Sequence, residues 1–415
     1  MTIADLKKYR RILLLGYGRE GKATESFLQK YVPNVEVFHA DQTDNKDYLK
    51  KQYEADLVIK TAGLPRRLVK VPYTTATNIF FANVRDLVPN NRTIGITGSK
   101  GKSTTTSLLF SVLKTAGLSV RLAGNIGIPL LSELLKPPKE NTIFVIEMSS
   151  YMLEDLQYSP NISVFLNIFP EHLDYHGSMQ AYLRAKSQIA LHAKKDDVFV
   201  YDSDHNEIAK LADQTKAKSI PCIATLPFSL DNVALKGKHN EQNIRMVCTV
   251  ARLFDVPVDV QKKAIEQFVP LPHRLQNIGV YNGMTFYDDA IATAPEPTIA
   301  AIETLRDVDT IFLGGTDRGL NFSSLVEAIC ASTIRNIVFF PETGAKIREI
   351  LEKKCNRTFT ILETTRMKDA VAFAYKHTEK GKICLLSCAS PSYTLWKNFE
   401  EKGDEFEKEV RTYGR

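Results

Sequence analysis

The sequence predicts an α/β chain of three domains, each built on a mostly parallel sheet. Three observations predict it. At 415 residues the chain is longer than one core supports, since single cores stop growing near ~250–300 residues. Short buried-type apolar runs recur along the chain and alternate with stretches of helical spacing. Two of those runs lead directly into glycine-rich turns followed by helical sequence, the strand–turn–helix order of nucleotide-binding units.

The first block spans 1–88. Arg11–Leu15 reads as a buried strand, and Gly16-Tyr17-Gly18-Arg19-Glu20-Gly21 follows it as a G-x-G-x-x-G turn. Val35–Phe38 is a second strand, with Asp41 twenty residues beyond Gly21. Leu57–Ile59 is a third, ending at Thr61-Ala62-Gly63. This βαβ rhythm is Rossmann-like. The spacing to Asp41 suits a dinucleotide, so an NAD-dependent dehydrogenase is one reading; the pyrophosphate of a nucleotide sugar is the other.

The second block, 89–271, carries the strongest signal. Gly95-Ile96-Thr97 leads into Gly98-Ser99-Lys100-Gly101-Lys102-Ser103-Thr104, and Leu108, Leu109, Val112 and Leu113 continue as a helix face. Such a loop aims backbone N–H groups at one point on the positive end of a helix. Lys102 supplies a charge for outer phosphates and Ser103 a hydroxyl for Mg²⁺, so ATP is the expected ligand. Thr142–Ile146 is a strand ending at Glu147, and Ile162–Leu166 is another ending at Asn167, with Glu171-His172 just beyond. Carboxylate and imidazole at the carboxyl ends of strands beside a phosphate loop are natural metal ligands.

Lys186 falls on an apolar stripe of Met179, Tyr182, Leu183, Ile189 and Ala190. Two readings fit. The lysine can snorkel from the edge of the stripe. Alternatively it is buried, its pKa falls, and the neutral amine can take up CO₂ as a carbamate. Asn240 and Asn243, one helical turn apart, can read a nucleoside or cap a helix. The block closes at Pro270-Leu271-Pro272, where a hinge is expected.

The third block, 272–415, has strands at Thr310–Leu313, Asn336–Phe340 and Lys382–Leu386, a second Rossmann-like unit. Arg274 and Asp289 sit near its entry. Arg318 and Ser392-Tyr393 each follow a strand, and Arg318 can clamp a carboxylate.

Composition narrows the classes. Apolar residues are 44% and charged residues 25%, ordinary for a globular protein. The net charge of +6 suits anionic ligands, but no long Lys/Arg block appears, so no nucleic acid is expected. No signal-type segment or long apolar run is present, so a cytoplasmic protein without membrane insertion is expected. The six cysteines lack metal-type spacing and are expected to be reduced thiols.

Taken together, these motifs resemble the Mur ligase family, along essentially the whole chain. The carriers are Thr97–Ser103, Gly124-Asn125-Ile126-Gly127, Glu147-Met148-Ser149-Ser150, Glu171–His176, Tyr182–Lys186, His239-Asn240 with Asn243, Pro272-His273-Arg274 and Trp396–Gly403. Within the family the glutamate-adding branch is nearest. The resemblance implies a cytoplasmic monomer that makes peptidoglycan precursors and serves cell-wall biogenesis, cell shape and division. ATP, two Mg²⁺ ions and a CO₂-derived carbamate on Lys186 would be its cofactors. Its substrates would be UDP-N-acetylmuramoyl-L-alanine and glutamate.

Residue by residue, the resemblance implies that Gly16, Tyr17, Gly18, Asp41, Thr61, Gly63 and Asn125 hold the UDP-sugar. Gly98 to Thr104, Asn240, Asn243, Arg274 and Asp289 would hold ATP. Ser103, Glu147, His172 and carbamylated Lys186 would hold metal, with Lys102 as the catalytic cation. Arg318, Ser392, Tyr393 and Phe399 would take glutamate. The chain departs from the branch at Ile291 and Ala294, where lysine and asparagine are usual, and at Arg318, where lysine is usual. D-glutamate is the expected amino acid and L-glutamate the alternative. A folylpolyglutamate synthase shares the ATPase but lacks a domain ahead of the phosphate loop.

Overall fold

The computed structural model describes residues 1–44 and 46–414. The chain divides into two compact units, Met1–Phe268 and Val269–Arg415. The first unit contains two parallel sheets, and the second contains one mixed sheet.

The first sheet is built from β1 (Arg11–Leu15), β2 (Glu36–Ala40), β3 (Leu57–Lys60) and β4 (Tyr73–Thr75), in the order β2-β1-β3-β4. β1 runs parallel to both β2 and β3. The chain therefore reverses its direction of growth between β1 and β3, and the crevice beyond their carboxyl ends is a ligand position. Gly16 makes the tight turn after β1. Its φ is +96°, and a Cβ there would run into the Thr61 side chain.

The second sheet comprises β5 (Arg92–Thr97), β6 (Val120–Gly124), β7 (Ile143–Glu147), β8 (Ile162–Phe165), β9 (Val198–Tyr201) and β10 (Lys218–Pro221). Its order is β10-β9-β8-β5-β7-β6, all parallel. β5 is central and switches between β7 on one side and β8 on the other, so the loop after β5 opens into the crevice. β5 and β7 are buried on both faces, which is why they read as unbroken apolar runs. The Ala76–Leu87 helix packs Phe80 edge-on against Phe144 of β7, 5.5 Å between centroids, in a core shared by the first two sheets.

The second unit contains β11 (Gln276–Tyr281), β12 (Met284–Asp288), β13 (Val308–Leu313), β14 (Asn336–Phe339), β15 (Thr360–Glu363) and β16 (Ile383–Leu386). The order is β11-β12-β16-β13-β14-β15, with β11 alone antiparallel. The switch point lies between β16 and β13.

One expectation is corrected. Cys330 and Cys355 form a disulfide, with Cα atoms 5.8 Å apart, so not all six thiols are free. The carboxyl ends of the Ser323–Ala331 and Thr343–Lys354 helices bring them together, and a separation of 25 residues carries no local signature. No described helix is long and apolar enough to cross a membrane.

Candidate active site around the phosphate loop

β5 delivers the chain to Gly98, and the Lys102–Thr115 helix begins immediately after Gly101. Gly101 has φ +80°, and the space a Cβ would fill is taken by the Asn243 amide. At Gly98 a Cβ would sit 2.9 Å from the Leu166 Cβ. The loop is pinned to the end of β8. The Ser99 N–H donates to Asn167 O (3.0 Å), and the Lys100 N–H to Asn167 Oδ1 (2.8 Å). The Ser99 hydroxyl lies 3.0 Å from the Tyr182 hydroxyl. The Lys102 Nζ folds back and donates to Gly98 O (2.9 Å) and Ser99 O (2.7 Å).

Lys186 is inside this site, not at its edge. It lies on the Met179–Leu191 helix, is 1% exposed, and its Nζ donates to Gly98 O (2.7 Å) and Thr97 Oγ1 (3.3 Å). Burial, reinforced by the Lys102 charge, holds its pKa well below the ordinary lysine value, against the pull of Glu171 and Glu147. The snorkelling reading is excluded. Spacing placed the residue correctly but could not choose between the two outcomes.

Glu147 ends β7 and is 1% exposed. Its Oε1 accepts from Asn125 Nδ2 (2.7 Å), while Oε2 is buried without a hydrogen-bond partner among the described residues. An orphaned carboxylate oxygen beside a phosphate loop fits a hard cation. Among the described residues no three His, Cys, Asp or Glu side chains converge. Mg²⁺ is commonly held by one or two carboxylates together with substrate phosphates, and the Glu147 Oε2 is a carboxylate oxygen of that kind. His172 is exposed, in the left-handed region at φ +53°, with its ring 5.0 Å from that of Tyr151. Glu171 pairs with Lys100. Burial pushes its carboxyl up, but Lys100 and Lys102 outweigh that and hold it below the usual range.

Asn240 and Asn243 open the Lys238–Arg252 helix, with the Asn243 Nδ2 donating to Asn240 Oδ1 (3.2 Å). Ser103 is half-buried and Thr104 buried in the first turn of the loop helix. Arg274 and Asp289 lie in the second unit. Asp289 is 5% exposed and accepts from the Ser387 hydroxyl (2.7 Å) and the Leu275 N–H (3.1 Å). Burial pushes its carboxyl up to about 7.

In the first sheet's crevice the Tyr17 N–H donates to Asp41 Oδ2 (2.7 Å), and Thr43 donates to Asp41 Oδ1 through its N–H (3.1 Å) and hydroxyl (3.0 Å). Asp41 thus braces its own turn, and these bonds hold its carboxyl below the usual range. Thr61 donates to Glu20 Oε2 (3.0 Å), joining the loops after β1 and β3, with Gly18 and Gly63 exposed beside them. Tyr17 stacks on His39 at 3.9 Å.

Sequence reasoning missed Lys60, at the end of β3. It is fully buried and paired with Asp155 (2.9 Å). Its signal was faint: one lysine closing an apolar strand.

The crevice between β16 and β13 gathers Arg318, Ser392 and Tyr393 in the second unit. The Arg318 guanidinium lies 5.7 Å from the Tyr393 ring centroid. Gly314 donates to Cys388 O (2.9 Å) and Thr316 to Pro391 O (2.8 Å), so the two loops are knitted together. Phe399 is half-buried, edge-on to His273 at 6.2 Å.

Comparison with known proteins is decisive at this point. A family model described as the Mur ligase middle domain matches residues 96–277. The UDP-N-acetylmuramoylalanine–D-glutamate ligase of Oenococcus oeni is 30% identical, with 97% of each chain covered. Its counterpart in Porphyromonas gingivalis is 31% identical over 86% of this chain and 85% of its own. The chain belongs to the Mur ligase family. The fold agrees: the MurF ligase of Thermotoga maritima, solved in complex with ADP, aligns with a TM-score of 0.64 at 17% identity, covering 99% of both chains. The Mur ligase middle domain therefore contains the phosphate loop, Glu147, Lys186, Asn240 and Asn243 in this chain.

Proposed function

We propose that this Mur ligase joins D-glutamate to the L-alanyl carboxyl of UDP-N-acetylmuramoyl-L-alanine, converting ATP to ADP and phosphate in peptidoglycan precursor synthesis. The names of relatives matched along nearly the whole chain support it. The observation that carries the chemistry is the buried Lys186 amine, hydrogen-bonded to the phosphate loop's own Gly98 carbonyl beside the orphaned Glu147 Oε2.

The L-alanyl carboxylate would attack the γ-phosphate and ADP would leave. Two anions must meet, so positive charge has to be concentrated at that point. Lys102 would supply it by leaving Gly98 O and Ser99 O for the phosphates. Ser103, Glu147, His172 and a carbamate on Lys186 are the groups that would hold two Mg²⁺ ions, whose charge would screen the same encounter. Carbamate formation, in which the amine adds CO₂ and releases a proton, would also turn the Lys102–Lys186 repulsion into an attraction. The glutamate amine would then attack the acyl-phosphate carbonyl, lose its proton and expel phosphate, leaving the amide.

Asn240, Asn243, Arg274 and Asp289 would orient ATP. Gly16, Tyr17, Gly18, Asp41, Thr61, Gly63 and Asn125 would hold the UDP-sugar. Arg318, Ser392, Tyr393 and Phe399 would hold glutamate. The test is ligation with D- and L-glutamate on UDP-N-acetylmuramoyl-L-alanine, read as amide product and phosphate. Amide formation faster with D-glutamate is expected. ATP hydrolysis with no amide from either enantiomer would overturn the reading.

A further inference from the structure

The Lys60–Asp155 ion pair joins the two sheets of the first unit. Lys60 ends β3 in the first sheet, and Asp155 lies in the connection between β7 and β8 of the second. Their side chains are 0% and 8% exposed and meet at 2.9 Å. Lys60 Nζ also donates to Leu64 O (3.1 Å), which closes the loop that begins at Thr61. Two bonds to Asp155 cross the same boundary. Its Oδ1 accepts from the Tyr73 hydroxyl (2.8 Å) at the start of β4, and its backbone O accepts from Asn78 Nδ2 (2.8 Å) on the Ala76–Leu87 helix.

A second tie runs beside the first. The Tyr175 hydroxyl donates to Glu154 Oε2 (3.0 Å) and lies 3.4 Å from Leu64 O. Arg67 Nη1, on the first-sheet side, donates to Tyr175 O (3.3 Å). Tyr175 follows His172 by three residues, and Glu154 follows Glu147 by seven. Burial, then the carboxylate each one serves, pushes the Tyr73 and Tyr175 phenol pKa values up, so both remain donors. The Thr61–Leu64 loop is thus fastened at one end to Glu20 of the β1 turn and at the other to the segments that carry Glu147 and His172. Charge is a costly choice for that fastening, because an apolar pair of similar volume would avoid the desolvation penalty. Apolar contacts, such as Phe80 on Phe144 in the shared core, are not directional. An ammonium held between one carboxylate and one carbonyl fixes register as well as contact.

We infer that Lys60 and Asp155 are positioning residues that set the nucleotide-sugar crevice of the first sheet against the phosphate-loop site of the second. Lys60 acts through Leu64 O on the Thr61–Gly63 loop, and Asp155 holds Lys60. This rests on the ligase reading above, in which that loop takes the UDP-sugar while Glu147 and His172 take metal. Attack of the substrate carboxylate on ATP requires groups bound by the two sheets to meet in line, and a misplacement of about 1 Å costs on the order of 10²-fold in rate.

The experiment uses the full chain carrying Lys60→Met together with Asp155→Asn. Both shapes are kept, Tyr73 keeps an oxygen acceptor, and neither charge is stranded. Ligation kcat per folded molecule should fall about 10- to 100-fold, while the KM values for ATP and the UDP-sugar stay within about threefold. Phe80→Leu is the control. It thins the shared core and leaves the pair intact, so its kcat per folded molecule should hold. Wild-type kcat in the folded double variant, or an equal loss in Phe80→Leu, overturns the inference. Hydrogen exchange adds a readout that needs no substrate. In wild type, peptides covering 61–68 and 154–158 should open together with one protection factor, and in the double variant the first should exchange about tenfold faster. That result supports the pair's role even where ligation assays show that the UDP-sugar is not the substrate. Should the double variant fail to fold, exchange in the wild type decides: joint opening of the two peptides supports the inference, and independent opening overturns it.

Discussion

Replacing Lys186 with methionine should separate stability from activity. The substitution keeps the volume of the stem and removes the amine. Two hydrogen bonds disappear, to Gly98 O (2.7 Å) and Thr97 Oγ1 (3.3 Å), at about 1 kcal/mol each. Neither acceptor is orphaned. Gly98 O keeps Lys102 Nζ at 2.9 Å, and the Thr97 hydroxyl keeps its bond to Met148 O at 2.9 Å. Against the loss stands relief of burying a polar amine that is 1% exposed, about 1–3 kcal/mol. The terms nearly cancel, so unfolding free energy in urea should stay within about 1.5 kcal/mol of wild type. Turnover should not survive: losing one group that stabilises charge in the transition state costs about 3–4 kcal/mol, or roughly 10²- to 10³-fold in kcat. The assay is ADP release with the urea melt run on the same preparation. Short carboxylates should partly restore Lys186→Met, and isotope-labelled bicarbonate should give a carbamate carbonyl resonance in wild type only. A folded variant whose kcat is within about tenfold of wild type, a change of only about 1.4 kcal/mol, refutes the reasoning.

Four other outcomes are expected. Gly101→Ala must adopt φ near +80° and displace the Asn243 amide; the backbone term alone is about 1–2 kcal/mol, and ATP affinity, measured by calorimetry, should fall with it. Lys102→Ala should lose ligation while melting normally, because it removes charge at the phosphates and leaves the core intact; near-normal turnover would remove the loop from the chemistry. Arg318→Ala should raise the glutamate KM by roughly 5- to 30-fold, the lower range suiting an exposed ion pair, and leave the ATP KM alone. Asp289 supplies a pH dependence. Its folded pKa, about 7, lies above the usual 3.8, so the folded state binds the proton more tightly. Stability is then lost as pH rises from about 4 to about 7, on the order of 4 kcal/mol from this group. Urea midpoints of wild type and Asp289→Asn, compared at pH values on both sides of that window, should differ by a gap that changes with pH; a constant gap contradicts the buried carboxyl.

What the sequence determined by itself was local. Thr97–Ser103 is one contiguous segment whose glycines, lysine and strand–helix flanks define a phosphate loop wherever it folds. Buried central strands such as β5, β7, β8, β13 and β16 were legible because both their faces are covered, which forces unbroken apolar runs. β4, β6, β10, β11 and β15 were not. They lie at sheet edges, and β10 and β15 each expose both end residues, so the apolar signal fades. Two strands depart from this: β2 lies at an edge yet its Val35–Phe38 run was legible, and β9 is internal yet its Val198–Tyr201 run was not predicted.

Tertiary structure decided the rest. The stripe around Lys186 is the same whether the amine reaches solvent or not; only the packing of its helix against the phosphate loop buries it. Gly101 reads as a turn glycine, yet the Asn243 amide that fills its missing side chain comes from a distant helix. Cys330 and Cys355 meet because two helix ends converge. Each outcome depends on which distant atoms arrive at a site. Sequence spacing encodes the face a side chain occupies, and it carries no record of what that face meets.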